Sequence, residues 1–220
     1  DKTTRTAKAG DKQAQAELAL LEKIKKVLDE GKPVRELQFS EEEQKLLQPL
    51  FLITAKPILY VANVSEGYFQ SPTDAAQPVK QFAARSQSEC VVLSGAIESE
   101  IASLPEEEQE TFLKELNMNE SGLQRLAMAG YKTLDLISYF TAGPKEVRAW
   151  TIQRNTKATQ AAGVIHSDFE KGFIKAEIYH YEDLIRCGSE QKVKENGLLR
   201  LEGKEYVVQD GDVIFFRFNV

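Results

Sequence analysis

The sequence predicts an α/β protein in two parts: one section of a parallel sheet with helices, then a small α+β module over residues 139–220. Three observations predict it. Two short apolar runs, Ile58 to Ala62 and Cys90-Val91-Val92-Leu93, alternate with helical patterns, the rhythm of parallel strands buried on both faces. From residue 139 the pattern becomes half-buried alternation, as in Val147-Arg148-Ala149-Trp150-Thr151-Ile152. The charge changes at the same place: residues 1–138 hold 16 basic and 22 acidic side chains, and residues 139–220 hold 12 of each.

The elements follow in order. Residues 11–30 read as an amphipathic helix. Ala14, Leu18, Leu21 and Leu28 fall at three- and four-residue steps, Ile24 fills the gap, and Gly31 and Pro33 stop it. So narrow a seam suits packing along one partner helix, which is expected upstream. Ser40-Glu41-Glu42-Glu43 is a capping box that opens a helix to about Ala55, ended by Pro57. The strand Ile58 to Ala62 leads to a helix over 78–85, the strand 90–93, and helices at about 97–103, 105–116 and 121–137. Pro105 with Glu106, Glu107 and Glu108 behind it suits the positive end of a helix dipole. Two strands are too few for a stable parallel sheet, so further strands are expected upstream.

After the linker Thr141-Ala142-Gly143-Pro144 come a strand at 147–152, a short helix at 158–165, a strand at 173–179 and short helices to about 197. Strands at 206–208 and 213–218 flank Asp210-Gly211, a hairpin signal.

Composition narrows the function. Hydrophobic content of 42% and aromatic content of 9% suit a folded chain. A net charge of −6 gives no global field toward nucleic acid or an anionic membrane. Cys90 and Cys187 stand in unrelated contexts, which makes neither a disulfide framework nor a metal motif and suits a reducing cytosol. No apolar run approaches the ~18 residues of a membrane span. The chain begins with Asp and contains no G-x-x-x-x-G-K-[ST] loop. It therefore reads as the back part of a larger protein.

The chemistry lies where the first strand ends, at Asn63-Val64-Ser65-Glu66. Base-reading P-loop proteins use N-K-x-D there: the acid accepts two hydrogen bonds from guanine, and the Asn braces neighbouring loops. Here the Lys is absent and Glu66 replaces Asp. Adenine offers a donor at N6 and an acceptor at N1, so a carboxylate cannot grip it by two bonds; the changed acid weakens the case for guanine. Alone, the motif also reads as an Asn-Ser turn entering a loop. Ser94-Gly95-Ala96 after the second strand strengthens the nucleotide reading, because small residues let backbone amides approach a base edge.

Long strings then resemble one family: Lys56-Pro57-Ile58-Leu59-Tyr60-Val61-Ala62-Asn63-Val64-Ser65-Glu66, Tyr139-Phe140-Thr141-Ala142-Gly143-Pro144-Lys145-Glu146-Val147-Arg148-Ala149-Trp150, residues 160–177, and the ending from Asp210. The chain resembles the YchF/Obg-like ATPases over essentially its whole length. The resemblance implies that residues 1–48 are part of a helical coiled-coil arm. Residues 49–138 would be the C-terminal half of a P-loop nucleotide-binding domain, and 139–220 a TGS domain, a ubiquitin-like β-grasp module. It implies a cytoplasmic, ribosome-associated protein that binds and hydrolyses ATP, with no membrane or DNA partner. Adenine would lie among Asn63, Val64, Ser65, Glu66, Ser94, Gly95 and Ala96.

The phosphate loop and the Mg2+ ligands precede this chain in the family, so the chain alone is expected to be inactive. Lys145, Arg148, Arg154, Lys157, Lys171 and Lys175 are the cations offered to RNA phosphates. His166 reads as a structural or capping residue. Two alternatives stay open: a non-catalytic TGS module docking on ribosome, RNA or protein, and, more weakly, a GTPase.

Overall fold

A computed structural model describes residues 2–70, 74–143 and 146–219. The chain divides into two compact units, residues 1–125 and 126–220.

The first unit opens with two helices, α1 (Lys2–Lys8) and α2 (Lys12–Asp29). The Asp11 carboxylate caps α2 by accepting the Ala14 N–H at 2.8 Å. α1 packs on the start of α2: Gln15 Nε2 donates to the Ala7 carbonyl at 3.2 Å, with Ala7 and Ala14 buried. Leu20 and Ile24 face the other way, packing with Val34, Leu46 and Leu50. Leu28, expected in the seam, is 39% exposed. In α3 (Glu41–Leu47) both bonds of the predicted capping box form between Ser40 and Glu43. This helix stops well before residue 55, because Phe51 takes a left-handed φ of 48° between two 3-10 turns.

Next come β1 (Leu59–Asn63), α4 (Gly67–Gln70), α5 (Gln77–Arg85) and β2 (Glu89–Leu93). Strands β1 and β2 are parallel, in register from Leu59↔Glu89 to Asn63↔Leu93. Ala62, Ala76 and Val92 form the core under Val64, Tyr68 and Val79, and Tyr60 meets Phe82 edge to face at 5.5 Å. Burial of β1 on both faces is not met, since Val61 on the opposite face is 43% exposed. Helices α6 (Gly95–Ser103), α7 (Glu106–Glu115) and α8 (Gly122–Thr133) follow. Ser121 and Gln124 cap α8 reciprocally.

The second unit holds a five-stranded sheet of order β4-β3-β7-β5-β6. Its elements are β3 (Leu136–Ala142), β4 (Val147–Gln153), α9 (Ala158–Ile165), α10 (Ser167–Lys171), β5 (Phe173–His180), α11 (Tyr181–Cys187), α12 (Glu190–Glu195), β6 (Arg200–Glu202) and β7 (Asp212–Phe218). This is the β-grasp arrangement, with parallel β3 and β7 flanked by antiparallel partners. Alanines 158, 161 and 162 let α9 lie flush on Ile178, Ile214 and Phe216. The Tyr139 hydroxyl donates to the Ala161 carbonyl at 2.8 Å.

Three expectations fail here. Thr141 and Ala142, expected in a linker, close β3 instead. Residues 134–137 do not continue a helix. Asp135 turns at a φ of 52°, and buried Ile137 and Tyr139 then alternate along β3. Asp210-Gly211 does not close a hairpin either. Residue 207 makes only an isolated bridge to Lys157, and β7 runs between β3 and β5. The turn ties to β3 instead: Gly211 N–H donates to the Ser138 carbonyl and Asp210 Oδ1 accepts the Ser138 N–H, both at 2.8 Å.

Candidate functional site

Parallel pairing sets the ends of β1 and β2 side by side. The Val64 N–H donates to the Leu93 carbonyl at 2.9 Å. The Asn63 side chain then crosses between the loops, its Oδ1 accepting the Gly95 N–H at 2.9 Å. The asparagine of the first loop thus braces the second, the role assigned to it from sequence. A Cβ at Gly95 would stand 3.6 Å from Asn63 Oδ1, an ordinary contact. Glycine is therefore not forced by that neighbour; it leaves the edge of the loop clear.

Ser94 precedes α6 and is 1% exposed, and its Oγ has no hydrogen-bond partner. Gly95 and Ala96 are exposed in the first turn of α6, where backbone N–H groups carry partial positive charge. Ser65 and Glu66 are exposed. Their carbonyls accept the N–H groups of Tyr68 and Phe69 and so open α4. The edge thus offers backbone donors, a rigid amide and an exposed carboxylate, the groups that read the rim of a planar heterocycle.

Two residues that the sequence reading missed hold this edge in place. The Glu98 carboxylate accepts the N–H groups of Gly122 and Leu123 at 2.7 and 3.1 Å, fixing α6 to the head of α8. One turn on, the Arg125 guanidinium lies 5.8 Å from the Phe69 ring. No local pattern marks a Glu that caps a helix 24 residues away.

The basic candidates scatter. Lys145 lies outside the described residues. Arg148 stacks on Trp150 at 4.1 Å and stands 4.0 Å from Glu146. Arg154 pairs with Asp135 at 2.9 Å and Lys157 with Glu205. Lys171 and Lys175 are exposed at the end of α10 and on β5. His166 caps α10, its Nδ1 accepting the Asp168 N–H at 3.2 Å, as the capping reading expects. Buried Asp212 accepts the Gln209 N–H and the Tyr206 hydroxyl; burial and that carboxylate push the Tyr206 pKa up to about 12. Among the described residues no group of three His, Cys, Asp or Glu side chains could hold a metal, and no helix is long and apolar enough to cross a membrane.

Known proteins share this sequence and fold. The chain is 51% identical over 221 residues to "Ribosome-binding ATPase YchF" of Bacillus subtilis (strain 168), covering 100% of this chain and 60% of that protein. The chain belongs to the YchF family. The YchF-GTPase_C family, described as "Protein of unknown function (DUF933)", matches residues 136–219. "Obg-like ATPase 1" of Caenorhabditis elegans is 44% identical over 215 residues, 96% of this chain and 54% of that one. The solved structure "Structure of the Schizosaccharomyces pombe YchF GTPase" superposes with a TM-score of 0.82 at 36% identity, over 93% of this chain and 55% of that one. The chain spans about 60% of the length of the bacterial YchF proteins it matches.

Proposed function

We propose that this chain supplies the base-reading side of an ATP site in a ribosome-associated, cytoplasmic YchF-family ATPase. Asn63, Val64, Ser65 and Glu66 would face adenine from one loop and Ser94, Gly95 and Ala96 from the other. Residues 1–48 belong to a helical arm, 49–138 to the nucleotide-binding domain and 139–220 to the TGS module; the strand that leads into this module starts three residues before that bound, at Leu136. The observation that carries the reading is the Asn63–Gly95 bond, which joins the two loops at one edge. ATP and the ribosome come from what the bacterial relatives are named for.

The change of the acid that guanine grips, from Asp to the longer Glu66, favours adenine. Phosphate and Mg2+ binding are assigned to no residue here, since the 220 residues contain no G-x-x-x-x-G-K-[ST] loop. Phosphoryl transfer is mostly phosphate positioning and electrostatics, so the isolated chain does not turn over ATP. Competition between ATP and GTP for binding tests the reading. Preference for ATP, lost on replacing Asn63 or Gly95, supports it; preference for GTP, the nucleotide in the fission-yeast relative's name, refutes it.

A second reading, in which the TGS part alone docks on RNA or protein, draws on the separate core of the second unit. Binding of residues 126–220 to ribosomes as tightly as the whole chain, with no effect of nucleotide, would favour it.

A further inference from the structure

Strand β4 is an edge of the β-grasp sheet: among the described residues it pairs only with β3. The register shows which of its backbone groups are free. At the two ends of the pair the bonds fall on even-numbered residues of this strand. The Glu146 carbonyl accepts the Gly143 N–H at 3.0 Å, and the Arg154 N–H donates to the Asp135 carbonyl at 2.8 Å. Antiparallel pairing alternates along a strand. Arg148, Trp150 and Ile152 therefore bond inward, while Val147, Ala149 and Thr151 turn their N–H and C=O groups away from β3. Neither proline nor a register shift interrupts the seven residues of β4, two of the usual means of blunting an edge. The side chains follow the same alternation. Ile152 is buried in the core under α9 and Trp150 packs against it. An open groove of about 410 Å³ runs from Ile152 to α9, lined by Arg154, Gln160 and Val164. Helix α9 contains no charged residue, and Val164 is 50% exposed. At the other end of β4 the Arg148 guanidinium lies 4.1 Å from the Trp150 ring centroid. Its ion-pair partner Glu146 stands 4.0 Å away, too far for a hydrogen bond. Arg154 is held by Asp135 at 2.9 Å.

We propose that β4 takes an extended peptide of another protein as a further strand of this sheet. The peptide carries an aliphatic side chain opposite Ile152, an apolar one opposite Trp150 and a carboxylate opposite Arg148. In strand addition the main-chain bonds supply affinity, and pockets for alternate side chains supply selectivity. The outward groups of Val147, Ala149 and Thr151 provide the first. The period of two provides the second, because every other peptide side chain falls on the α9 side. There the aliphatic residue enters the groove against Ile152 and Val164. The carboxylate meets a guanidinium with open donors, for a charge-assisted bond. Stacking on Trp150 already holds that guanidinium, which lowers the cost of ordering it. A second copy of this chain is the less favoured occupant. Two β4 strands joined through their outward groups about Trp150 set Ile152, not an acid, opposite Arg148. A helix is excluded as the occupant, because its own backbone bonds leave nothing to answer the outward N–H and C=O groups. The inference does not rest on the nucleotide reading of the first unit.

The test is titration of the full chain with the end-capped peptide Thr-Ile-Thr-Val-Thr-Glu-Thr, read by the fluorescence of Trp150, the single tryptophan. Antiparallel pairing, the more stable kind, sets its Ile, Val and Glu opposite Ile152, Trp150 and Arg148. A saturable change is expected. Proline in place of the threonine opposite Ala149 removes a ladder bond and should weaken binding about 2- to 12-fold. Lysine in place of the glutamate should weaken it by at least about 1.5- to 5-fold. Arg148→Glu should reverse that order, so that the lysine peptide binds the variant more tightly than the glutamate peptide. Both peptides meet the same variant there, so a general loss of folding cannot produce the reversal. No saturable change overturns the proposal, as does equal affinity for the proline peptide or an unreversed order in Arg148→Glu. A dimer of the chain in sedimentation that the peptide splits also overturns it, because the edge then belongs to a second copy.

Discussion

Gly122→Ala tests whether the brace behind the base loops is as tight as its geometry states. A methyl group there would sit 2.6 Å from Glu98 Oε1 and 2.7 Å from Leu93 Cβ. The carboxylate can swing away, but doing so breaks its bonds of 2.7 and 3.1 Å to the first amides of α8. Leu93 cannot follow, because its Cβ is fixed to a paired strand. Overpacking of this kind costs about 1–3 kcal/mol, and hydrogen bonds to a charged group contribute about 1.5–3 kcal/mol. Part of the second sum survives if Glu98 finds a new rotamer, so a total of about 2–4 kcal/mol is expected. That is a large share of the ~5–15 kcal/mol that holds a domain together.

Urea unfolding followed by far-UV circular dichroism reads the shift, and hydrogen exchange should show the first turn of α8 opening. Glu98→Ala, which removes the carboxylate, should make the glycine substitution cheaper in the double variant. A Gly122→Ala chain within ~0.5 kcal/mol of the parent, or strict additivity with Glu98→Ala, refutes the reasoning.

Three further outcomes follow from the second unit, which contains the single tryptophan, Trp150, as a reporter. Gly172→Ala would put a Cβ 2.0 Å from the Asn219 carbonyl oxygen; β7 must shift, and the thermal midpoint read by Trp150 fluorescence should fall by more than for any other substitution proposed here. Tyr139→Phe removes a buried hydroxyl that donates to Ala161 and should cost about 1 kcal/mol, measured by the same transition. The third concerns pH. Arg217 lowers the Glu177 pKa, so this pair stabilises the fold above the ordinary carboxylate value near ~4.3 and is lost as pH falls through the depressed folded value. Arg217→Gln should flatten that acid limb of the stability curve; an unchanged limb contradicts the assignment.

Much of the first unit was legible because its signals are local. The capping box at Ser40 and Glu43 and the two apolar runs each carry their meaning within a few residues. The loops at Asn63 and Gly95 were legible as a pair because parallel strands of equal length must end together. What escaped was decided at a distance. Residues 134–137 continue a helical pattern in sequence, and only a left-handed Asp135 and pairing with β4 and β7 make Leu136 onward a strand. Asp210-Gly211 carries the chemistry of a hairpin, yet Ser138, 72 residues earlier, claims its hydrogen bonds. Glu98 carries no local signal, and its role shows only where Gly122 stands against it. Phe215 and Arg217 alternate to one face in plain sight, but the short cover of α11 and α12 that leaves them open shows only in three dimensions.

The most direct test of the account is an amide chemical-shift map of the chain titrated with adenosine. Shifts confined to Asn63–Glu66 and Ser94–Ala96, with guanosine producing none, are the predicted result. Shifts centred elsewhere, or an equal response to guanosine at these residues, would contradict it.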